Sequence, residues 1–168
     1  MGKVRGQTPL TLDLYQSLRS RGLNDSQIAG VVRLTPQTVS RFKNKHATHL
    51  RTPREVAKDA WPMVVPYRFV QCSPYKRLRD HLEYMATGGK GMAEYKLQRL
   101  RWFYNRLERD GVVVEYDPTI PPNSDSNTGG WKFVERSDSD GDLVIRVNRH
   151  VSMTDLSWVM FAMPPDIP

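Results

Sequence analysis

The sequence predicts a mainly α chain with a small β-hairpin or three-stranded sheet. An N-terminal helix-turn-helix domain is expected first, followed by an α+β, winged-helix-like second domain. Three observations carry this expectation. A hydroxyl residue followed by proline recurs at four helix starts, and Asn24–Phe42 has the apolar spacing of two crossing helices. After Gly111 the helical period gives way to short apolar alternation.

The four starts are Thr8-Pro9, Thr35-Pro36, Thr52-Pro53 and Ser73-Pro74. A hydroxyl caps free N–H groups of a first helical turn, and proline at the first helical position loses no hydrogen bond. Helices are expected over 9–21, 25–32, 36–45, 53–60, 74–86 and 92–109. Gly22, Gly88-Gly89 and Gly111 stand where the first, fifth and sixth should end. Trp61-Pro62-Met63-Val64-Val65-Pro66 breaks the helical period with two prolines and reads as a stiff connector. Tyr67–Gln71 is expected to be a brief strand. Further strands are expected at Val112–Tyr116, Lys132–Glu135 and Leu143–Val147, the last two joined through the turn Ser139-Asp140-Gly141-Asp142. The Pro-, Asn-, Ser- and Gly-rich stretch Asp117–Gly130 reads as a mobile loop, and Thr154–Met163 as a short apolar helix closing the core. The expected organisation is therefore a first domain over 1–60, a linker over 61–66 and a second domain over 67–168.

At 168 residues the chain is long enough to bury a real core in one domain or two small ones. Its 26% charged and 39% apolar content is that of a globular protein. No apolar run approaches the ~20 residues of a membrane span. Cys72 is the only cysteine, which excludes an internal disulfide and a cysteine zinc cluster and fits a reducing cytoplasm. The net charge of +7 is unevenly spread. Residues 1–60 hold 11 Lys/Arg against 4 Asp/Glu, residues 61–109 hold 10 against 4, and residues 110–168 hold 4 against 10. A polyanion should meet the first two blocks and avoid the third.

Within 24–45, Ala29 is the small residue needed where two helices cross. Ile28, Val32, Leu34, Val39 and Phe42 are spaced for burial, and Thr35-Pro36 starts the second helix sharply. Arg33 occupies a turn position that is often glycine. Leu14, Tyr15 and Leu18 of the first helix should complete a three-helix unit. With Val39 and Phe42 inward, at about 100° per residue, Gln37, Arg41 and Asn44 point outward. Thr38, Ser40 and Lys45 belong to the same candidate surface, and Lys43 lies nearer the buried side, where it suits a phosphate. Gln and Asn bond adenine bidentately and Arg bonds guanine, so this face has the chemistry of base readout in double-stranded DNA.

On the predicted helix 92–109, Leu97, Leu100, Phe103, Tyr104 and Leu107 form a core stripe. The opposite face carries Tyr95, Gln98, Arg99, Trp102, Asn105, Arg106 and Arg109. Guanidinium groups among aromatics suit contact with phosphates or a groove. The competing reading packs Trp102 and Tyr95 against the C-terminal strands. Helix 74–86 adds Lys76, Arg77 and Arg79, and Lys90 lies in the glycine-rich connection. From this block Lys90, Arg99, Trp102 and Arg106 are the candidate DNA contacts. The acidic loop 117–130 is a poor candidate for a DNA-contacting wing.

Other constellations are set aside. Gly88-Gly89-Lys90-Gly91 lacks P-loop spacing. His46, His49, His81 and His150 are too dispersed for a metal site. Asp138, Asp140 and Asp142 lack the downstream glutamate of a calcium loop. No spacing argues for a catalytic arrangement, so neither an enzyme nor a cofactor is expected.

The Gln27–Lys45 motif, above all Leu34-Thr35-Pro36-Gln37-Thr38-Val39-Ser40-Arg41-Phe42, and the segment Lys90–Gly111 give the chain a likeness to a family. In this order, with a Pro-bounded connector between them, they resemble the immunity repressors of temperate mycobacteriophages, and the resemblance spans most of the chain. It implies a monomeric repressor that uses both domains on short asymmetric DNA sites. These would be an operator at the early lytic promoter and dispersed sites that halt polymerase, which together keep a prophage silent and give immunity to superinfection. It also implies that Gln37, Ser40, Arg41 and Asn44 read bases. The absence of a sustained heptad agrees with a monomer. The alternative reading is a DNA-binding accessory factor for phage replication or recombination.

Overall fold

The computed structural model describes residues 10–46 and 52–168. The chain divides into two compact units, Met1–Glu55 and Val56–Pro168. The expected start at Thr8-Pro9 lies outside the described residues.

In the first unit, α1 spans Leu12–Ser20, α2 spans Asp25–Val32 and α3 spans Pro36–Lys45. Each begins with a side-chain cap. Thr11 accepts from the Leu14 N–H at 3.2 Å, and Thr35 accepts from the Thr38 N–H at 3.2 Å. Asn24 and Gln27 cap reciprocally, each accepting from the other's N–H at 2.9 Å. Arg33 ends α2 in the left-handed conformation (φ 57°), and its backbone N–H donates to the Ala29 carbonyl. The turn to α3 is thus made at the residue where glycine is usual. Tyr15, Leu18, Ile28, Ala29, Val32 and Val39 are buried together, and Leu10, Leu14, Leu23, Leu34 and Phe42 close around them. Ala29 is almost fully buried, which fits its place where α2 meets its neighbours.

In the second unit the core lies between helices and a two-stranded sheet. Helix α4 (Pro53–Ala60) begins at the end of the first unit, where Thr52 and Glu55 cap each other, and its Ala57 and Ala60 are buried in this core. Helix α5 spans Ser73–Thr87 and α6 spans Glu94–Asp110, ended by Gly88 and Gly111 respectively. Strand β1 (Val112–Tyr116) pairs antiparallel with β2 (Trp131–Glu135), with Val114 opposite Phe133 and Tyr116 opposite Trp131. Helix α7 (Asp155–Met160) is capped by Thr154 and Ser157. Leu78, Leu82, Leu100, Phe103, Tyr104, Leu107, Trp131 and Phe161 share the interior.

His81 is fully buried and joins three helices. Its Nε2 lies 2.8 Å from the Met160 carbonyl and its Nδ1 lies 2.7 Å from the Tyr104 hydroxyl. A carbonyl only accepts, so Nε2 carries the proton and Nδ1 accepts from tyrosine. Burial drives the imidazole pKa down to about 4, against a smaller opposing effect of the Met160 carbonyl.

Several expectations are corrected. Tyr67–Gln71 is not a strand; Tyr67–Phe69 form one turn of 3-10 helix. The hairpin does not join Lys132–Glu135 to Leu143–Val147, because β2 pairs back onto β1. Leu143–Val147 makes only isolated bridges, Ile145 to Val114 and Leu143 to Ala162, so the sheet has two strands. Ser139-Asp140-Gly141-Asp142 is not a hairpin turn. Asp138–Asp140 form a 3-10 turn in which Arg146 holds the buried Asp140 carboxylate at 2.9 and 2.8 Å. Ser73 lies inside α5 rather than capping it, since the cap position is Cys72, whose Sγ donates to the Phe69 carbonyl.

The loop 117–130, expected to be mobile, is closed by its own hydrogen bonds. Asn123 Oδ1 accepts from the N–H groups of Asp125 and Ser126, and the Ser126 hydroxyl donates to the Gly129 carbonyl at 2.7 Å. Gly130 (φ +81°) lets the chain pass the Phe69 ring, where a Cβ would approach to 2.7 Å. The segment 61–66, expected to be a connector, is packed within the second unit. Trp61 meets Tyr75 edge-on, Met63 is buried and bridges to Val151, and the Pro62 carbonyl accepts from the Ser152 N–H. Pro62 follows the end of α4 and Pro66 precedes the 3-10 turn Tyr67–Phe69, while Met63 and Val65 between them belong to the core.

Candidate nucleic-acid interface

In the first unit, Gln37, Thr38, Ser40, Arg41, Asn44 and Lys45 are all exposed on α3, while Val39 is fully buried. Phe42 is half-buried, with its ring 6.0 Å from Tyr15 and 4.4 Å from His46. One face of a ten-residue helix is therefore locked against α1 and α2, and the other is left to solvent. The Thr38 hydroxyl lies 2.8 Å from that of Thr35, so part of its hydrogen-bonding capacity serves the helix start.

Lys43 sits differently from its neighbours. It is half-buried, and its Nζ lies 3.4 Å from Asp25 Oδ2. The Tyr15 hydroxyl donates to Asp25 Oδ1 at 2.7 Å, and Arg19 lies 4.0 Å from the same oxygen. One carboxylate thereby ties all three helices together. Burial opposes its charge, but the hydrogen bond from Tyr15 and the cations Lys43 and Arg19 outweigh it and hold the carboxyl below its usual range. Burial and the bond to Asp25 push the tyrosine hydroxyl up to about 12. Sequence reasoning missed this node because Asp25 looks like an ordinary first-turn acid.

In the second unit, α6 presents Trp102 and Tyr95 to solvent, 65% and 59% exposed, so neither packs against the strands. Arg99 stacks on Tyr95 at 5.2 Å from the ring centre. Arg106 lies 3.8 Å over the Phe133 ring, and its Nη2 is 3.0 Å from Asp125. Arg99, Trp102 and Arg106 line one open groove of about 580 Å³, together with Lys76 and Arg77 of α5. Lys90 is exposed between α5 and α6 and is not among the groove's lining residues. Ser124, Asp125 and Phe133 complete the wall from the loop and β2. These were not foreseen, because nothing in a polar loop's composition says that it folds back onto a distant helix.

Of the four histidines, His49 lies outside the described residues. Among the described residues no group of three or more His, Cys, Asp or Glu is placed to hold a metal ion. Among the same residues, no helix is long and apolar enough to cross a membrane.

No protein-family model matches the chain. The "Repressor-like immunity protein" of Mycobacterium phage L5 is 36% identical to it over 160 residues, covering 95% of this chain and 87% of that protein. The chain belongs to the mycobacteriophage immunity-repressor family. The likeness read from Gln27–Lys45 and Lys90–Gly111 therefore extends over both units of this family member.

Proposed function

We propose that the chain is a sequence-specific, double-stranded DNA-binding repressor that maintains phage lysogeny and superinfection immunity in the bacterial cytoplasm. Helices α2 and α3 act as a helix-turn-helix, with α3 in the major groove. Gln37, Ser40, Arg41 and Asn44 read base edges, while Thr38 and Lys45 contact the adjoining backbone. Lys43 reaches phosphate only by sharing or leaving Asp25, so its contribution is smaller than that of the exposed lysine. The second unit adds Arg99, Trp102, Arg106 and Lys90 on the same duplex. The β1–β2 loop holds no lysine or arginine and does not act as a DNA-inserting wing; its Asp125 only borders the second unit's groove. One chain binds an asymmetric site and represses by occluding a promoter or blocking polymerase.

The single observation that carries this reading is the outward face of α3, where amide, hydroxyl and guanidinium groups are exposed on a helix fixed from behind by Val39 and Phe42. Relatedness to a repressor-like immunity protein supports the same reading. Replacing Arg41 by Ala tests it, with binding measured on a selected duplex and on random DNA. Loss of a bidentate base contact should weaken the selected duplex by about 1–3 kcal/mol and relax the preferred base at one position, with little effect on random DNA. Equal weakening on both duplexes would remove Arg41 from base readout.

A further inference from the structure

Arg77 is the least ordinary cation in the second unit. Its side chain is only 11% exposed, and its Nη2 lies 3.2 Å from Asp80 Oδ2. Its Nε and Nη1 are buried and have no hydrogen-bond partner. A guanidinium presents five N–H donors in a planar fork, and leaving buried donors unsatisfied is costly. Burial disfavours the charged form of Arg77, Asp80 favours it, and nearby Arg99 opposes it again. Asp80 does not balance the site by itself, since its charge is also shared with Lys96 at 4.0 Å.

Arg77 lines the groove between α5 and α6, where Lys76, Arg99 and Arg106 add three further cations and Asp125 is the one acid. The groove also borders the N-terminal end of α5, through Ser73 and Pro74. This fifteen-residue helix has no side-chain cap, because the Cys72 thiol is turned to the Phe69 carbonyl. Its first-turn amides and dipole favour an anion. A buried fork short of acceptors, a surplus of positive charge and an uncapped helix start thus converge on one groove. Trp102 stands at its rim with an open aromatic face.

We propose that this groove holds one backbone phosphate of the bound nucleic acid, with Arg77 as its fixed cation and Arg99 and Arg106 as flanking cations. The proposal rests on the reading of the second unit as DNA-contacting and adds the atom group it grips. Asp80 keeps Nη2 in place, and a small rotation of the side chain brings the solvent-closed Nε and Nη1 to the phosphate oxygens, which supply the acceptors that Arg77 lacks. Arg106 is shared between Asp125 and the phosphate, which keeps its guanidinium over Phe133.

The test uses the full chain and a duplex that it selects from a random pool. Phosphates are replaced one at a time by neutral methylphosphonate, and binding is compared for the unmodified protein and Arg77→Gln. At one phosphate outside the segment read by α3, the replacement should weaken the unmodified protein by about tenfold. Arg77→Gln should be weaker by a similar factor on the unmodified duplex and lose less than twofold at that position. Other phosphates should cost both proteins alike.

A second measurement needs no variant, in case Arg77→Gln unfolds. The Arg77 Nε–H resonance of the unmodified protein should shift on adding the duplex, and stay unmoved with the duplex neutralised at that phosphate. Equal sensitivity of both proteins at every phosphate, or an unmoved Arg77 resonance, would overturn the pocket while leaving other contacts of the second unit in place. If no phosphate outside the α3 segment matters, the wider reading of that unit fails as well.

Discussion

On α3 the side chains that face solvent are set by those that face the core. Gln37, Arg41 and Asn44 fall on the exposed side of α3 because Val39 and Phe42 dictate the opposite side, and periodicity alone supplies that geometry. Asp25, Arg77 and His81 depend instead on partners 10 to 79 positions away or on a groove wall from another element, which no local pattern encodes. His81 carries a pH dependence with a definite sign. Its folded pKa of about 4 lies below the ordinary value of 6.5, so the unfolded chain takes up a proton more readily between the two. Its contribution is therefore fully present above pH 6.5 and is lost as pH falls toward 4, by roughly 3 kcal/mol from this residue. Denaturant titrations at pH 7, 5.5 and 4.5 should show this slope, and His81→Gln should flatten it. A slope unchanged by that substitution would assign the acid sensitivity to other groups.

At the scale of elements, helices read well and strands did not, for physical reasons. The ends of α2, α3 and α4 match expectation because a capping oxygen followed within a residue by a good first-turn residue is a local, self-sufficient signal. Helix α1 starts at Leu12 because Thr11 does the capping there. The Leu143–Val147 segment has strand composition, but it is paired on separate sides with Val114 and Ala162 and forms no ladder. Strand pairing is a long-range choice, and alternation alone does not name the partner. The α2–α3 turn was legible down to its strained position. An L-residue at φ 57° forgoes part of the stability glycine would give, so Arg33→Gly should stabilise the chain by about 0.5–1 kcal/mol, seen as a higher urea midpoint at unchanged slope. A lower midpoint would mean that the arginine side chain contributes more than its backbone strain costs.

At the scale of the whole molecule, two units each carry a basic surface, and the acidic part of the sequence lies in the last third. The opposing charge blocks were visible in the sequence. Less visible was how the acidic part is used: Asp140 and Glu115 neutralise Arg146, and Asp125 reaches across to Arg106. Two modules on one duplex would obtain affinity through effective concentration rather than through dimerisation.

The most direct test of the account is selection of duplexes from a random pool by the full 168-residue chain, followed by sequencing of the bound fraction. An asymmetric consensus is expected, bound by one chain per duplex, with an affinity that falls steeply as salt rises because both units release counterions. A palindromic consensus bound by two chains, or no consensus at all, would contradict it.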